Sequence, residues 1–162
     1  MIVLGIDPGT ATTGYGLVRE NPDGSLALVD YGVIQTPSSQ PMPERLLTLH
    51  QRLHELILLH RPQTSAVEKL FFQTNVRTAL SVGQARGVAL LVLAQAGLEV
   101  AEYTPLQVKS AVTGYGVAGK EQVQHMVQAL LDLSEIPTPD DAADALAVAI
   151  CHLHSYRLTS LS

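Results

Sequence analysis

The sequence predicts one α/β domain, spanning residues 1–162, with a mixed five-stranded sheet and helices on both faces. The length predicts one domain, because 162 residues with a 46% hydrophobic fraction can bury one sizeable core. The order of the patterns predicts the class, because three short apolar strands come first and helices then alternate with strands. Strands joined by short turns predict an antiparallel meander, and strands separated by helices predict parallel pairing.

The first three strands are predicted from apolar runs that end at turn residues. Residues 2–6 form a continuous apolar run, which the turn sequence Asp7-Pro8-Gly9 closes. Residues 13–18 and 26–34 predict the next two strands. The hairpin-type sequence over 21–24 joins them.

A helix and a fourth strand follow a proline-rich stretch. The helix is predicted by an apolar stripe with the spacing of one buried helical face. Its members are Leu46, Leu49, Leu53, Leu56 and Ile57. The sequence Arg61-Pro62 ends this helix, and residues 65–67 predict a short buried strand with Glu68 at its end.

The second half of the chain predicts four helices and a fifth strand. In order, these are a helix over 75–96 closed by Gly97, a strand over 98–103, a short helix over 104–108, a helix over 121–133 and a helix over 138–154. In the last helix, we expect Thr138 to be the N-cap, Pro139 the first helical residue and Asp141 the acid of a capping box.

The composition indicates a cytoplasmic protein. No apolar run approaches the ~20 residues of a membrane helix. The N-terminus does not show a basic stretch followed by an apolar one, so we expect neither a membrane protein nor a secreted one. The single cysteine, Cys151, cannot form an internal disulfide and suits a reducing compartment, where we expect it to be a small core residue.

The net charge of −5 argues against a nucleic-acid partner, but the charge is unevenly distributed. Residues 1–68 carry four basic and seven acidic side chains, residues 69–120 carry five and two, and residues 121–162 carry one and six. The basic middle segment includes Arg77, Lys109 and Lys120. This pattern is typical of a phosphate-facing segment beside a carboxylate cluster.

Two acidic residues stand at the ends of predicted strands. Asp7 ends a strand in the sheet centre, where a carboxylate is costly unless it is hydrogen-bonded, paired or metal-bound. Glu68 ends another buried strand. Each has a simpler explanation, which is an Asx turn for Asp7 and an ordinary strand-edge position for Glu68.

The last helix supplies two further candidates. Capping explains Asp140 and Asp141 but not Asp144, which lies one turn further in. Asp141 and Asp144 share one helix face, and the alanines around them let that face approach the sheet closely. Together with Asp7 and Glu68 they would repel one another without a counter-charge. Because oxygen-only ligands select hard cations, we predict two Mg²⁺ or Mn²⁺ ions at these four carboxylates.

Seven sequence blocks, in order along the chain, resemble one family. They are residues 5–10 (GIDPGT), 13–16 (TGYG), 66–71 (AVEKLF), 83–88 (GQARGV), 107–109 (QVK), 120–126 (KEQVQHM) and 141–147 (DAADALA). Each block alone is weak, but the ordered set is specific. The chain therefore resembles the RuvC family of bacterial Holliday junction resolvases over about residues 2–154.

The resemblance implies an RNase H-like fold and a homodimer that cuts four-way junction DNA by paired symmetric nicks. The catalytic acids of the family fall on the four carboxylates predicted above. Its catalytically important lysines fall on Lys109 and Lys120, and its junction-contacting aromatic falls on Phe71. The resemblance also implies cooperation with the RuvA–RuvB branch-migration complex and a preference for a short T-rich cleavage sequence.

This sequence departs from the family at two places. Gly119 precedes Lys120 where an acidic residue is common in relatives, which affects the loop before that lysine. Arg157 is the only basic residue after Lys120, so we do not expect a basic tail that contacts DNA.

The predicted chemistry is two-metal hydrolysis, in which ions ~3.5–4 Å apart bracket the scissile phosphate. One ion activates water and the other stabilises the leaving 3′ oxygen, which gives 5′-phosphate and 3′-hydroxyl ends. Lys120 supplies positive charge to the attacked phosphate or orients the water. Of the adjacent Phe71 and Phe72, either one stacks on an unpaired base of the junction or both pack in the core.

Some features allow more than one interpretation. Gly83 and Gly87 are four apart on one helix and predict either a dimer contact or packing on the sheet. His50 and His54 lie one turn apart, but without a third ligand a solvated helix face is favoured over a metal site.

Three rival functions fit parts of the sequence. The first is nucleotide chemistry, because Asp7-x-Gly9 is similar to the phosphate loop of actin-like ATPases and sugar kinases, although those need two such domains around a nucleotide. The second is a non-catalytic junction-binding module. The third is a nuclease of the same fold that acts on RNA or on transposon ends.

Overall fold

The computed structural model describes residues 1–69 and 76–162, and within these ranges the chain forms five strands and five helices. The strands are β1 (Ile2–Asp7), β2 (Thr12–Glu20), β3 (Leu26–Gln35), β4 (Thr64–Glu68) and β5 (Val100–Tyr103). The helices are α1 (Met42–His60), α2 (Val76–Gln95), α3 (Pro105–Thr113), α4 (Lys120–Leu130) and α5 (Asp140–Ser160).

The strands form one mixed sheet in the order β3-β2-β1-β4-β5. β2 pairs antiparallel with β1 and β3, whereas β4 pairs parallel with β1 and β5. This arrangement confirms the predicted meander with two added parallel strands. Because Ile6 lies opposite Val67, β1 and β4 end side by side and place Asp7 and Glu68 at one edge of the sheet.

Successive side chains along each strand point to opposite faces of the sheet, and a hydrophobic layer covers each face. In β1, Ile6 packs in the layer formed with α1 and α2, whereas Val3 packs in the layer formed with α3, α4 and α5. The period of two therefore directs Asp7 toward α5. In β4, Ala66 packs in the α5 layer, so Glu68 points to the same side.

Glycines in β1 and β2 let α5 lie directly on the sheet backbone. A Cβ added to Gly5 would lie 2.2 Å from the carbonyl oxygen of Ala145. A Cβ added to Gly14 would lie 1.9 Å from the carbonyl oxygen of Asp141. Both distances are far below a van der Waals contact, so this approach requires residues without a side chain at these two positions. It confirms the predicted close approach of the alanine-rich helix.

The prediction that α3 ends at residue 108 is wrong. Val108 and Val112 lie one turn apart and are both buried, so the helix continues along one apolar face. It stops where Gly114 adopts a left-handed φ of 78°, a conformation that glycine takes without strain.

Two other boundaries are shifted inward. β5 begins at Val100 rather than at residue 98, because the Leu98 amide still donates to the Leu93 carbonyl at the end of α2. α4 ends at Leu130 rather than at residue 133, and Asp132 takes a positive φ of 51° that ends helical geometry.

The predicted start and end of the last helix are also wrong. Pro139 has an extended ψ of 176° and is itself the N-cap, so helical geometry begins at Asp140 and Thr138 lies too early to cap it. The Pro139 carbonyl accepts from the amides of Ala142 and Ala143, and no side chain in the described part of the chain caps this end. As a result, Asp141 does not form a capping box. The helix also continues past residue 154 to Ser160.

α2 differs from the sequence expectation in its hydropathy. By length and composition alone, this 20-residue helix meets the criterion for a membrane span, since an 18-residue window in it has mean hydropathy 1.3, which the sequence pattern did not predict. One such helix is weak evidence for a membrane protein, because helices of soluble proteins meet the same criterion. Among the described residues, a Cβ added to Gly83 or Gly87 meets no atom within 4 Å, so the proposed packing of these glycines on the sheet is wrong.

The structure also places the two histidines of α1 and the single cysteine. The side chain of His50 lies 2.9 Å from Gln95 Oε1, and His54 is exposed. Over residues 1–69 and 76–162, the one acidic or histidine group close enough to hold a metal contains neither histidine. Cys151, a residue of α5, is 1% exposed and packs in the hydrophobic layer formed with α3, α4 and α5.

Candidate active site

Acidic side chains from three elements meet at the sheet edge where β1 and β4 end. Asp7 is the last residue of β1, and Glu68 is the last residue of β4. Asp141 and Asp144 lie in the first turns of α5 and share one face of that helix. The structure therefore brings together all four carboxylates that the sequence singled out.

Three of the four carboxylates are close enough to share one cation. Asp7, Asp141 and Asp144 each offer an oxygen atom, and these atoms lie within 4.8 Å of one another. Glu68 lies outside this trio, but its carboxyl group is close enough to that of Asp7 for each group to shift the pKa of the other.

Burial and mutual repulsion raise the pKa of three of these groups. For Asp7, burial and then the charges of Glu68 and the α5 aspartates raise the pKa well above its ordinary value. Burial, followed by the charge of Asp144, also raises the pKa of Glu68. Burial raises the pKa of Asp144, although Lys120 partly opposes this. The site is therefore short of positive charge.

The donor set fits a hard divalent cation. Every candidate ligand is a carboxylate oxygen, which Mg²⁺ and Mn²⁺ prefer over sulfur or imidazole ligands. The raised pKa values have the same implication, because a divalent cation would supply the positive charge that lets these carboxyls ionise.

Lys120 reaches the carboxylates from the first residue of α4. Its Nζ lies 3.2 Å from Asp140 Oδ2 and 3.7 Å from Asp144 Oδ2. Partial burial lowers the pKa of Lys120, but the Asp140 hydrogen bond and the charge of Asp144 raise it overall. Gln124 Nε2 donates to Asp140 at 3.1 Å. Sequence reasoning missed this role of Asp140, because helix capping already explained an aspartate there.

A cavity of about 220 Å³ opens beside the carboxylates. Its charged lining comes from Glu68, Asp144, Lys109 and Lys120. Its remaining lining comes from Pro105, Val108, Val123 and Ala147. Because two lysines and two carboxylates share this space, it can hold an anionic group next to the acidic cluster.

Arg86 contacts the backbone of the site from α2. Its Nη1 donates to the Glu68 carbonyl oxygen at 2.8 Å, and its Nη2 pairs with the Glu102 carboxylate. Sequence reasoning singled out neither Arg86 nor Glu102, although the block over 83–88 contains Arg86. The spacing of residues along a helix gives no signal for a contact with a strand of distant sequence.

The remaining predicted DNA contacts lie away from the cavity or outside the described residues. Arg77 is exposed in the first turn of α2 and does not line the cavity. Phe71, the predicted junction contact, and Phe72, its neighbour, lie outside the described residues.

Comparison by sequence gives consistent matches over nearly the whole chain. A family model described as crossover junction endodeoxyribonuclease RuvC matches residues 3–152. The protein of that name from Syntrophomonas wolfei is 58% identical over 160 residues, covering 99% of this chain and 92% of the relative. The one from Chloroflexus aurantiacus is 61% identical over 155 residues, covering 96% and 94%.

Comparison by structure agrees. Thermus thermophilus RuvC in complex with a Holliday junction substrate is similar with a TM-score of 0.94 and 39% identity, covering 99% of this chain and 97% of that one. The yeast mitochondrial Holliday junction resolvase Ydc2 has a TM-score of 0.72 at 17% identity, covering 98% and 80%, and supports the fold alone. The architecture is the RNase H-like fold that the resemblance implied.

Proposed function

The chain belongs to the RuvC family of crossover junction endodeoxyribonucleases, and from this membership we propose that it resolves Holliday junctions by metal-dependent hydrolysis of phosphodiester bonds. The observation that carries this proposal is the trio of carboxylate oxygens, from Asp7, Asp141 and Asp144, within 4.8 Å of one another. Family membership favours this function over the ATPase, the non-catalytic module and the nucleases with other substrates.

We assign the four carboxylates to cation binding. Asp7, Glu68, Asp141 and Asp144 would hold two Mg²⁺ or Mn²⁺ ions, in agreement with their oxygen ligands and with the raised pKa values. Bound there, such ions would supply Lewis-acid charge at the scissile phosphate and would lower the pKa of a water molecule. Attack of that water on phosphorus, with cleavage of the bond from phosphorus to the 3′ oxygen, gives 5′-phosphate and 3′-hydroxyl ends.

The two lysines act on the phosphate. Lys109 and Lys120 line the cavity beside Glu68 and Asp144, so a phosphate there meets positive charge on one side and the carboxylates on the other. Lys120 is held by Asp140 and Asp144 at 3.2 and 3.7 Å, which fixes its ammonium group beside the acidic cluster. We assign it to orienting the phosphate or the attacking water.

Phe71 and Arg77 are assigned to junction binding. Phe71 follows Glu68 by three residues in the sequence, and stacking on an unpaired base would contribute ~1–3 kcal/mol. We expect Phe71→Ala to lower junction cleavage far more than it lowers the melting temperature. The same comparison with Phe72→Ala identifies which phenylalanine contacts DNA, and equal losses of cleavage and stability would assign that residue to the core.

Paired symmetric nicks require two active sites, and we propose a homodimer formed through α2. One stripe of this helix is exposed, with Val76 at 83%, Leu80 at 66% and Leu91 at 52%. Gly83 and Gly87 lie on the same stripe, and no atom of residues 1–69 or 76–162 lies within 4 Å of an added Cβ on either glycine. Small residues let two helices approach closely, and the apolar side chains beside them would be buried in the contact. In a monomer these apolar side chains would remain in water.

Sedimentation tests the dimer. We expect Leu80→Glu to convert a dimer into a monomer, because it places a charge in the proposed interface. Leu158→Glu is the matched control, since Leu158 is 71% exposed at the far end of α5. A wild-type protein that sediments as a monomer at the concentrations of the cleavage assay would contradict the proposal.

Two further assignments follow the family. We propose that the protein works in the cytoplasm, where its DNA substrate lies. We also propose that it acts with the RuvA–RuvB branch-migration complex, and co-sedimentation of the three proteins on a junction would test this.

The decisive experiment for the activity uses a synthetic four-way junction, a matched duplex, and buffers with Mg²⁺, Mn²⁺ or EDTA. We expect symmetric nicks in the junction only, and only with a divalent ion. Asp7→Asn, Glu68→Gln, Asp141→Asn and Asp144→Asn should each abolish cleavage while leaving junction binding intact. Asp132→Asn is the matched control. Asp132 is exposed and follows the C-terminal end of α4, whereas Lys120 lies at its N-terminal end. Cleavage retained in any of the four variants would remove that residue from the site.

A further inference from the structure

We propose that Arg86 is a positioning residue that fixes Glu68 for cation binding from behind the sheet. The inference deepens the proposed function and rests on it, because it concerns the same carboxylates. Arg86 extends from α2, and one guanidinium group makes two contacts. Nη1 donates to the Glu68 carbonyl oxygen at 2.8 Å, and Nη2 pairs with the Glu102 carboxylate.

At Glu68, β4 is paired with a neighbouring strand on one side only. The β1 ladder ends at the pair of Ile6 and Val67, so Glu68 has a strand partner only in β5, where it lies opposite Tyr103. The next amide, that of Lys69, donates to the Tyr103 carbonyl at 2.7 Å. The Glu68 carbonyl instead accepts from Arg86, which provides a donor at the point where the strand ends.

Arg86 lies on the face of the sheet opposite to the carboxylate side chains of the site. Its neighbours in the helix, Ala85 and Ala89, pack in the layer that also contains Val67, whereas Glu68 points toward α5. Glu102 lies opposite Val67 in the register, on the side of Arg86. Arg86 therefore cannot touch the phosphate, and its action on the reaction passes through the backbone of Glu68.

The guanidinium group is suited to this arrangement. Its planar fork offers two donors at a fixed angle, so one side chain can bind a carbonyl and a carboxylate together. A lysine keeps the charge but presents one ammonium group without that fork. The side chain of Arg86 is only 17% exposed, so water cannot readily replace either contact.

The test compares two arginines with the same pair of contacts. Arg157 also binds one carboxylate and one backbone carbonyl, those of Glu20 and Gly24, at the opposite end of the sheet from Asp7. Arg86→Gln and Arg157→Gln should both lower the melting temperature. Only Arg86→Gln should raise the Mn²⁺ concentration for half-maximal junction cleavage, by ~10–100-fold, the usual effect of losing a contact that orients a ligand.

Further measurements separate this role from others. Junction binding by Arg86→Gln in EDTA should equal that of the wild type, and Arg86→Lys should recover part of the Mn²⁺ affinity. Glu102→Gln, a milder change, should shift the Mn²⁺ dependence in the same direction. An Arg86→Gln variant with wild-type Mn²⁺ dependence, or with weakened junction binding as its only defect, would overturn the inference. If the wild type does not cleave junctions, the proposed function fails, and Mn²⁺ binding measured by calorimetry still decides the role of Arg86.

Discussion

Replacing Gly14 by alanine tests whether the seating of α5 on the sheet sets the geometry of the site. The added Cβ would lie 1.9 Å from the Asp141 carbonyl oxygen and 2.4 Å from the carbonyl carbon. The φ of Gly14 lies outside the left-handed region, so the backbone of β2 itself accepts alanine. Any loss in the variant therefore comes from the contact with α5.

The size of the effect follows from these distances. To reach an ordinary contact of about 3.4 Å, the start of α5 must move away from β2 by roughly 1.5 Å. Overpacking of this kind costs ~1–3 kcal/mol of stability. Asp141 and Asp144 move with the helix while Asp7 stays on β1, and a misplacement of about 1 Å can reduce the rate by ~100-fold.

The assay pairs single-turnover junction cleavage with thermal unfolding, and Gly116→Ala is the control. A Cβ on Gly116 would meet Leu106 at 3.5 Å, which is an ordinary contact, so this variant should keep the wild-type rate and stability. We expect Gly14→Ala to lose at least 100-fold in rate and to melt at a lower temperature. A Gly14→Ala variant that behaves like Gly116→Ala would refute the idea that α5 is seated by backbone contact.

Three further predictions concern charge and protons. Asp7→Asn should stabilise the metal-free protein by about 1–2 kcal/mol at pH 8. The pKa of Asp7 is raised above 3.8 in the folded state, so the free-energy penalty of ionising it there is absent below pH 3.8 and grows as pH rises. The gain in stability should therefore shrink toward pH 4 in denaturant titrations, whereas any effect of Asp132→Asn should not. The Mn²⁺ concentration for half-maximal stabilisation should fall as pH rises, because the carboxyls must lose protons to bind the ion, and a pH-independent value in thermal shift assays would contradict this. Burial lowers the pKa of His152 below 6.5, so the free energy of unfolding should decrease as pH falls below that value. His152→Asn should remove part of this pH dependence of stability, and His54→Asn, at an exposed site, should not.

The sheet and the carboxylate cluster were predictable because they depend on local pattern. A period of two decides which way Asp7 and Glu68 point, and a spacing of three places Asp141 and Asp144 on one helix face. The apolar run of residues 2–6 and the turn after it were sufficient to locate β1. These signals lie within a few residues of the positions that they describe.

The features that sequence reasoning missed depend on contacts between distant segments. Arg86 reaches Glu68, and Asp140 reaches Lys120, across elements whose relative placement the pattern does not specify. The capping box failed because one dihedral angle, the extended ψ of Pro139, moved the helix start to Asp140. Residue type allowed Pro139 as the N-cap or as the first helical residue, and only packing decided between them.

The docking of α5 onto β1 and β2 also has a consequence for the order of folding. Asp7 belongs to the first strand, whereas Asp141 and Asp144 belong to the last helix, so the site joins opposite ends of the described chain. A polypeptide still lacking α5, whether nascent or cut by a protease, would carry Asp7 and Glu68 without their partners. Such incomplete chains could not assemble the trio of oxygens, so the site forms only after α5 has docked on β1 and β2.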